Sequence, residues 1–87
     1  MPYTVEVLRR AEKVLRGLTD SKLYHRLRDA IDSLALEARP HGCTKLSGSK
    51  HIYRLRIGDH RIIYEVADDR LVVLVIDIGH RREVYRS

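Results

Sequence analysis

Three arginines in the segment YRLRIGDHRIIYEV, Tyr53 to Val66, pose the chemical question in this chain. Two short strands flank Gly58-Asp59, and a two-residue loop with glycine first suits the type II′ turn that closes a hairpin. In that register Ile57 faces His60, Arg56 faces Arg61, Leu55 faces Ile62 and Tyr53 faces Tyr64. Side chains alternate along a strand. Leu55, Ile57, Ile62 and Tyr64 therefore share an apolar face, and Arg54, Arg56 and Arg61 collect on the other. Like charges set directly opposite each other destabilise a sheet. The planar fork of a guanidinium matches the oxygens of a phosphate better than an ammonium does, so two of them held together suit an anion that satisfies both. The plainer alternative is a pair splayed into water with no role.

The charge of the whole chain leans the same way without deciding the matter. The 87 residues carry a formal net charge of +5. Residues 1–38 hold seven Lys/Arg against six Asp/Glu, and residues 39–87 hold ten against six, so the excess lies in the half that contains the hairpin. A basic surface attracts phosphate-bearing or acidic partners, and it also keeps a small protein in solution. A content of 44% apolar and 33% charged residues fits a globular domain rather than a disordered chain. With no Trp or Phe, the core must be built from Leu, Ile, Val and Tyr. The single cysteine, Cys43, excludes an intrachain disulfide and fits a reducing compartment. Neither the N-terminus MPYTVEV nor the run LVVLVIDI has the length of a signal peptide or a membrane-spanning helix. The expected location is the cytoplasm.

The elements that must position the hairpin follow from periodicity. Tyr3 to Val7 alternates and reads as a first strand. LRRAEKVLRGL places Leu8, Ala11, Val14 or Leu15, and Leu18 at helical spacing, with an end at Gly17. TDSKLYHRLRDAIDSLALEA is the clearest helix, capped by Thr19, Asp20 or Ser21. Its apolar stripe is Leu23, Leu27, Ala30, Ile31, Leu34 and Ala38. RPHGCTKLSGSK reads as a loop. After the hairpin and a turn at ADDR, Leu71 to Ile78 is apolar on both sides of the pleat, as for a central strand covered on both faces. The order β-α-α-β-β-β predicts a single α+β domain over residues 1–87, with two N-terminal helices on one face of a mostly antiparallel four-stranded sheet. The other face, with Arg54, Arg56 and Arg61, would be left open as a concave basic surface.

From Lys45 onward, KLSGSKHIYRLRIGDHRIIYEVADDRLVVLVIDIGHRREVYR closely resembles the C-terminal half of RelE-type toxins of the RelE/ParE superfamily. The resemblance rests on three ordered blocks. These are a Lys-Leu-x-Gly entry, a Tyr-Arg-x-Arg-x-Gly-Asp-x-Arg-x-x-Tyr hairpin, and an apolar strand followed by Gly-His-Arg and Glu-Val-Tyr. With the N-terminal strand and helices, it covers nearly the whole chain. It implies a RelE-like fold and a ribosome-dependent endoribonuclease that cuts mRNA in the A site of the 30S subunit. In that reaction the ribose 2′-hydroxyl attacks the adjacent phosphate, with no metal or organic cofactor. It also implies an antitoxin partner with an acidic toxin-binding segment.

The same resemblance implies site residues. Arg61 matches an arginine at the scissile phosphate, Arg81 a second one near the leaving 5′-oxygen, and Tyr85 a tyrosine that stacks on an mRNA base. Arg54 and Arg56 stand where well-studied members carry lysines, one of them assigned as the base. Here the chain departs from the pattern. Arginine stays protonated and is a poor general base, whereas a crowded lysine can release its proton. Arg54 and Arg56 are therefore expected to stabilise charge rather than to take a proton.

Histidine is one candidate to fill the gap. Imidazole titrates in the useful range, and His80 precedes Arg81. His60 lies on the helix-facing side by strict alternation and reads as a partly buried hairpin residue. His25, His41 and His51 have no metal-ligand spacing. Lys45 and Lys50, in the basic loop, and Arg82 and Arg86, near the end, are candidate RNA contacts. Tyr53 and Tyr64 read as packing residues. Two other readings stand beside the interferase: a ParE-type inhibitor that binds DNA gyrase, and a catalytically weak homologue that only binds RNA or antitoxin.

Overall fold

The computed structural model describes residues 2–80. Strand β1 (Thr4–Val7) leads into helices α1 (Arg9–Arg16) and α2 (Ser21–Ser33). Four strands follow: β2 (Cys43–Lys45), β3 (Ile52–Ile57), β4 (His60–Ala67) and β5 (Val72–His80). The sheet order is β1-β5-β4-β3-β2, antiparallel throughout except that β1 runs parallel to β5. The α+β class and the mostly antiparallel sheet are as expected, but the sheet has five strands, not four. The extra strand, β2, lies inside the segment read as a loop. Its three residues pair with Tyr53–Leu55 at the edge of the sheet. Too short to show alternation, it owes its existence to the neighbouring strand rather than to its own pattern.

Asp20 starts α2 by accepting hydrogen bonds from the amides of Lys22 and Leu23, at 3.0 and 3.2 Å, which satisfies two of the helix's orphan donors. The helix stops at Ser33 rather than running on to Ala38. The amides of Leu34, Ala35 and Leu36 donate to the carbonyls of Ile31, Asp32 and Ser33, and this run of i→i−3 bonds tightens the chain into a turn. Leu36 consequently points into water at 85% exposure, while Leu34 and Ala38 stay buried.

Both helices press on one face of the sheet. Ala11, Leu15, Leu27 and Ile31 form one core with Leu55, Ile62, Tyr64, Val66, Val73 and Val75. Tyr53 and Tyr64, opposite each other in register, stack with ring centroids 5.8 Å apart. The buried Tyr64 hydroxyl donates to the Ala38 carbonyl at 2.9 Å, tying the end of the helical layer to the sheet. Among the described residues no helix is long and apolar enough to cross a membrane.

The last strand departs from simple alternation. Val75 pairs with Tyr64 and Asp77 pairs with Ile63, so Ile76 is an extra residue, a β-bulge on β5. The bulge reverses the phase of the strand: Val73 and Val75 are buried before it, and Ile78 after it. The expectation that β5 is covered on both faces also changes. It is an inner strand, but Val72, Leu74 and Ile76 are only half-buried and lie outside the helix-covered core.

Candidate nucleic-acid interface

The hairpin forms in the register that its sequence implies. Ile57 pairs with His60, Arg56 with Arg61, Leu55 with Ile62 and Tyr53 with Tyr64. Gly58 takes a φ of +60°, the left-handed value that the first loop position of a type II′ turn requires and that glycine adopts without strain. The two arginines therefore do stand opposite each other. Arg61 also pairs with Gly79 of β5 on its other side, a position with no side chain to crowd the guanidinium.

Depth is what alternation could not supply. Arg61 is 4% exposed, while Arg54 is half-buried and Arg56 exposed. The face is thus no uniformly open basic surface. It combines a sunken guanidinium, two shallower ones and the half-buried Ile63, Leu74 and Ile76 alongside. Burying a guanidinium carries a desolvation cost unless polar groups surround it, and what is gained is a charge with little freedom to move. Arg56 folds back over the turn, with its Nε donating to the Gly58 carbonyl at 3.4 Å. Arg26 reaches the same turn from α2. A β-carbon on Gly58 would lie 3.5 Å from its Nη1.

The structure does not gather every expected residue here. His80 pairs with His60 across β4 and β5, their rings edge to face at 5.1 Å. His60 in turn stands opposite Ile57, which packs against the helix-covered core. This histidine pair therefore belongs to the side of the sheet away from Arg61. Lys45 is exposed on β2, opposite Tyr53, with its Nζ 6.0 Å from the Tyr53 ring centre. Lys50 is exposed just before β3, and the length of that strand, about 20 Å at 3.3 Å per residue, separates it from Arg56. Arg81, Arg82, Tyr85 and Arg86 lie outside the described residues. Among the described residues no group of three or more His, Cys, Asp or Glu is placed to hold a metal ion.

A second polar cluster escaped the sequence reading. Arg39 donates to both oxygens of Asp68, at 3.2 and 2.6 Å, and through Nε to the Tyr53 hydroxyl at 2.8 Å. Tyr3 donates to Asp68 at 2.5 Å. The Arg39 and Tyr3 bonds together hold the Asp68 carboxyl at about 2, below its usual 3.8, and Arg39 is itself pushed up. The cluster joins the N-terminal strand, the segment after α2, β3 and the β4–β5 turn. Contacts between residues so far apart leave no local mark in the sequence.

The sequence model described as "ParE toxin of type II toxin-antitoxin system, parDE" matches residues 5–85. The chain belongs to the RelE/ParE family of type II toxin–antitoxin toxins. The mRNA interferase toxin RelE of Escherichia coli K12 is 34% identical over 92 aligned residues, covering 98% of this chain and 92% of that protein. Solved structures agree with the sequence. The archaeal RelE–RelB complex of Pyrococcus horikoshii OT3 contains a chain that matches with a TM-score of 0.80 at 30% identity, covering 93% of this chain and 97% of that one. A chain of the intact RelBE toxin–antitoxin complex of E. coli matches with a TM-score of 0.76 at 28% identity, covering 90% and 95%. The shared fold accounts for the topology.

Proposed function

We propose that this chain is a ribosome-dependent endoribonuclease that cuts mRNA in the A site and is silenced by an antitoxin. The observation that carries the reading is the nearly buried Arg61, set between Arg56 and the side-chain-free Gly79. In the reaction the ribose 2′-oxygen forms a bond to the adjacent phosphorus, and the bond from phosphorus to the 5′-oxygen breaks. The products are a 2′,3′-cyclic phosphate and a 5′-hydroxyl; the 2′-hydroxyl gives up a proton and the 5′-oxygen gains one. The extra negative charge develops on the phosphoryl oxygens. Fixed guanidiniums aimed there stabilise the transition state without having to reorganise.

Arg61 holds the scissile phosphate in this account, with Arg54 and Arg56 adding charge beside it. Arg81 supports the leaving oxygen and Tyr85 stacks on a base. Arginine at both family lysine positions leaves neither of those two side chains suited to take the proton. Charge stabilisation then carries most of the rate, and no metal is required for it. His80, turned to the other face with His60, has a weaker claim to the acid–base role than its neighbour Arg81 has to the phosphate. Lys45 and Lys50 lie outside this reaction centre and serve, at most, as peripheral RNA contacts beside Arg82 and Arg86.

The related RelE chains of P. horikoshii and E. coli are complexed with RelB, and an acidic segment of such a partner would complement Arg54, Arg56, Arg61 and Arg81. Footprinting of the complex should show these four protected; equal exposure in the free and bound states would exclude neutralisation by covering the site. Activity of this kind places the protein in the cytoplasm.

The test is primer extension on mRNA held in ribosomes with an empty A site. Cleavage in the A-site codon on adding the wild-type protein is the expected result. A second reading, inhibition of DNA gyrase, has the description of the matching family in its favour. Intact mRNA together with blocked supercoiling in a gyrase assay would put that reading first, and inactivity in both assays would leave a binding homologue.

A further inference from the structure

We infer that the outer face of α1 is a second phosphate-binding surface, a ridge of Arg9, Lys13 and Arg16 that docks on the backbone of structured RNA. The inference rests on the ribosomal reading above and extends it to the opposite side of the sheet. Ala11 and Leu15 turn α1 toward the core. Arg9 and Lys13 are four residues apart and Arg16 three further on, so all three share the side facing away from that core, and all three are exposed. At 1.5 Å per residue the ridge is about 10 Å long.

Local electrostatics oppose Arg9 in this arrangement, whereas Lys13 and Arg16 lie in the last turn, where the macrodipole favours cations. Arg9 and Arg10 are the first two residues of the helix, where the macrodipole disfavours cations, and Leu8 at the N-cap supplies no side-chain bond. Arg9 and Lys13 repel each other at i,i+4 spacing. The neighbouring carboxylates are already engaged. Asp77 takes Arg10 at 3.4 Å, and Glu12 lies between Arg16 and Arg28 at 3.8 and 3.9 Å. Among the described residues Arg9 and Lys13 make no ion pair. α2, by contrast, begins at a capping aspartate.

The surroundings point to RNA rather than to a peptide. The ridge borders a groove of about 710 Å³ whose lining, among the described residues, is Val7, Arg9, Glu12, Lys13 and Arg16. Val7 is its one apolar side chain, too little to anchor an amphipathic segment, whereas a sugar–phosphate backbone needs only the charges. Position fits as well. β1 ends opposite Val75 and Arg10 pairs with Asp77, so α1 starts beside the middle of β5, the strand that supplies Gly79 opposite Arg61. Cations then stand on both faces of the sheet, as suits a protein wedged between RNA surfaces.

Equilibrium binding to vacant 70S ribosomes, followed between about 50 and 200 mM KCl, tests the ridge. The variant is the triple change Arg9→Gln, Lys13→Gln and Arg16→Gln, with Lys22→Gln as the control. Losing three phosphate contacts should weaken binding about tenfold or more at the low salt and flatten the slope of log K against log salt by about 2 to 3. The control should match wild type, and circular dichroism should show the triple variant folded. A wild-type slope in the triple variant overturns the inference. So does a loss of antitoxin affinity at an unchanged ribosome slope, which would make the ridge a protein-docking face. The ribosomal reading fails separately, if wild-type protein leaves A-site mRNA uncut. A flattened slope in that case would still identify the ridge as an RNA surface.

Discussion

Arg39 and Arg56 are both exposed arginines at the margin of one sheet, and their surroundings differ in kind. Arg39 meets a carboxylate, a tyrosine hydroxyl and the Tyr53 ring, whose centre lies 5.2 Å from the guanidinium carbon. Arg56 stands opposite Arg61, and its Nε reaches a backbone carbonyl at 3.4 Å. The first arrangement is architecture, because the fold itself supplies the acceptors and gains from them. The second raises the energy of the isolated hairpin, and under the proposed function it serves to bind a phosphate. The difference separates a cation that holds the protein together from one to which the proposed function gives a substrate to meet.

The comparison is sharpened first at Arg54 and Arg56. Changing both to Gln should lower A-site cleavage by about 10²-fold, as when preorganised donors are removed. The urea midpoint should stay level or rise, because a like-charge opposition has gone. A large loss of stability would instead make these arginines structural.

Tyr64→Phe should produce the largest purely structural effect. It strands the Ala38 carbonyl in the core, at a cost of about 1–3 kcal/mol measurable by urea denaturation, with cleavage per folded molecule unchanged. Arg39→Gln should cost less, about 1 kcal/mol, since its partners are partly open to solvent.

The smallest effect is a pH dependence. Asp68 has its folded value depressed to about 2 from 3.8, so its contribution is present above the unfolded value and is lost as pH falls through the folded one. Wild type should exceed Asp68→Asn in stability by a constant amount from neutral pH down to about 4. The gap should close as pH approaches 2. A gap that closes well above pH 4 would contradict the clasp.

Much of this was legible in the sequence, for local reasons. Gly58-Asp59 and the alternation on either side set the hairpin register residue by residue, and the capping candidates Thr19, Asp20 and Ser21 with the apolar stripe marked where α2 begins. What was hidden depends on contacts that no window contains. β2 exists because β3 offers an edge to it. α2 ends early because i→i−3 bonds at Leu34–Leu36 compete with the helical pattern. The bulge at Ile76 looks like any other residue in an apolar run, yet it decides that Ile78 faces the core and that Gly79 lies opposite Arg61. Alternation assigned Arg61 to the correct face but could not say that it is buried there. The Arg39–Asp68 clasp joins positions 29 residues apart, with no periodic signal between them. At the site, the resemblance to RelE-type toxins and the arginine spacing named the cluster, and the structure contributed its depth.

The most direct test of the central distinction places Arg61→Gln beside Arg39→Gln in one experiment, measuring single-turnover A-site cleavage and the urea midpoint for each. Arg61→Gln should lose about 10²–10³-fold in cleavage while remaining folded, and Arg39→Gln should lose stability while cleaving at the wild-type rate. Equal cleavage by folded Arg61→Gln and wild type would contradict the account, because the arginine sunk between Arg56 and Gly79 would then have no phosphate to hold.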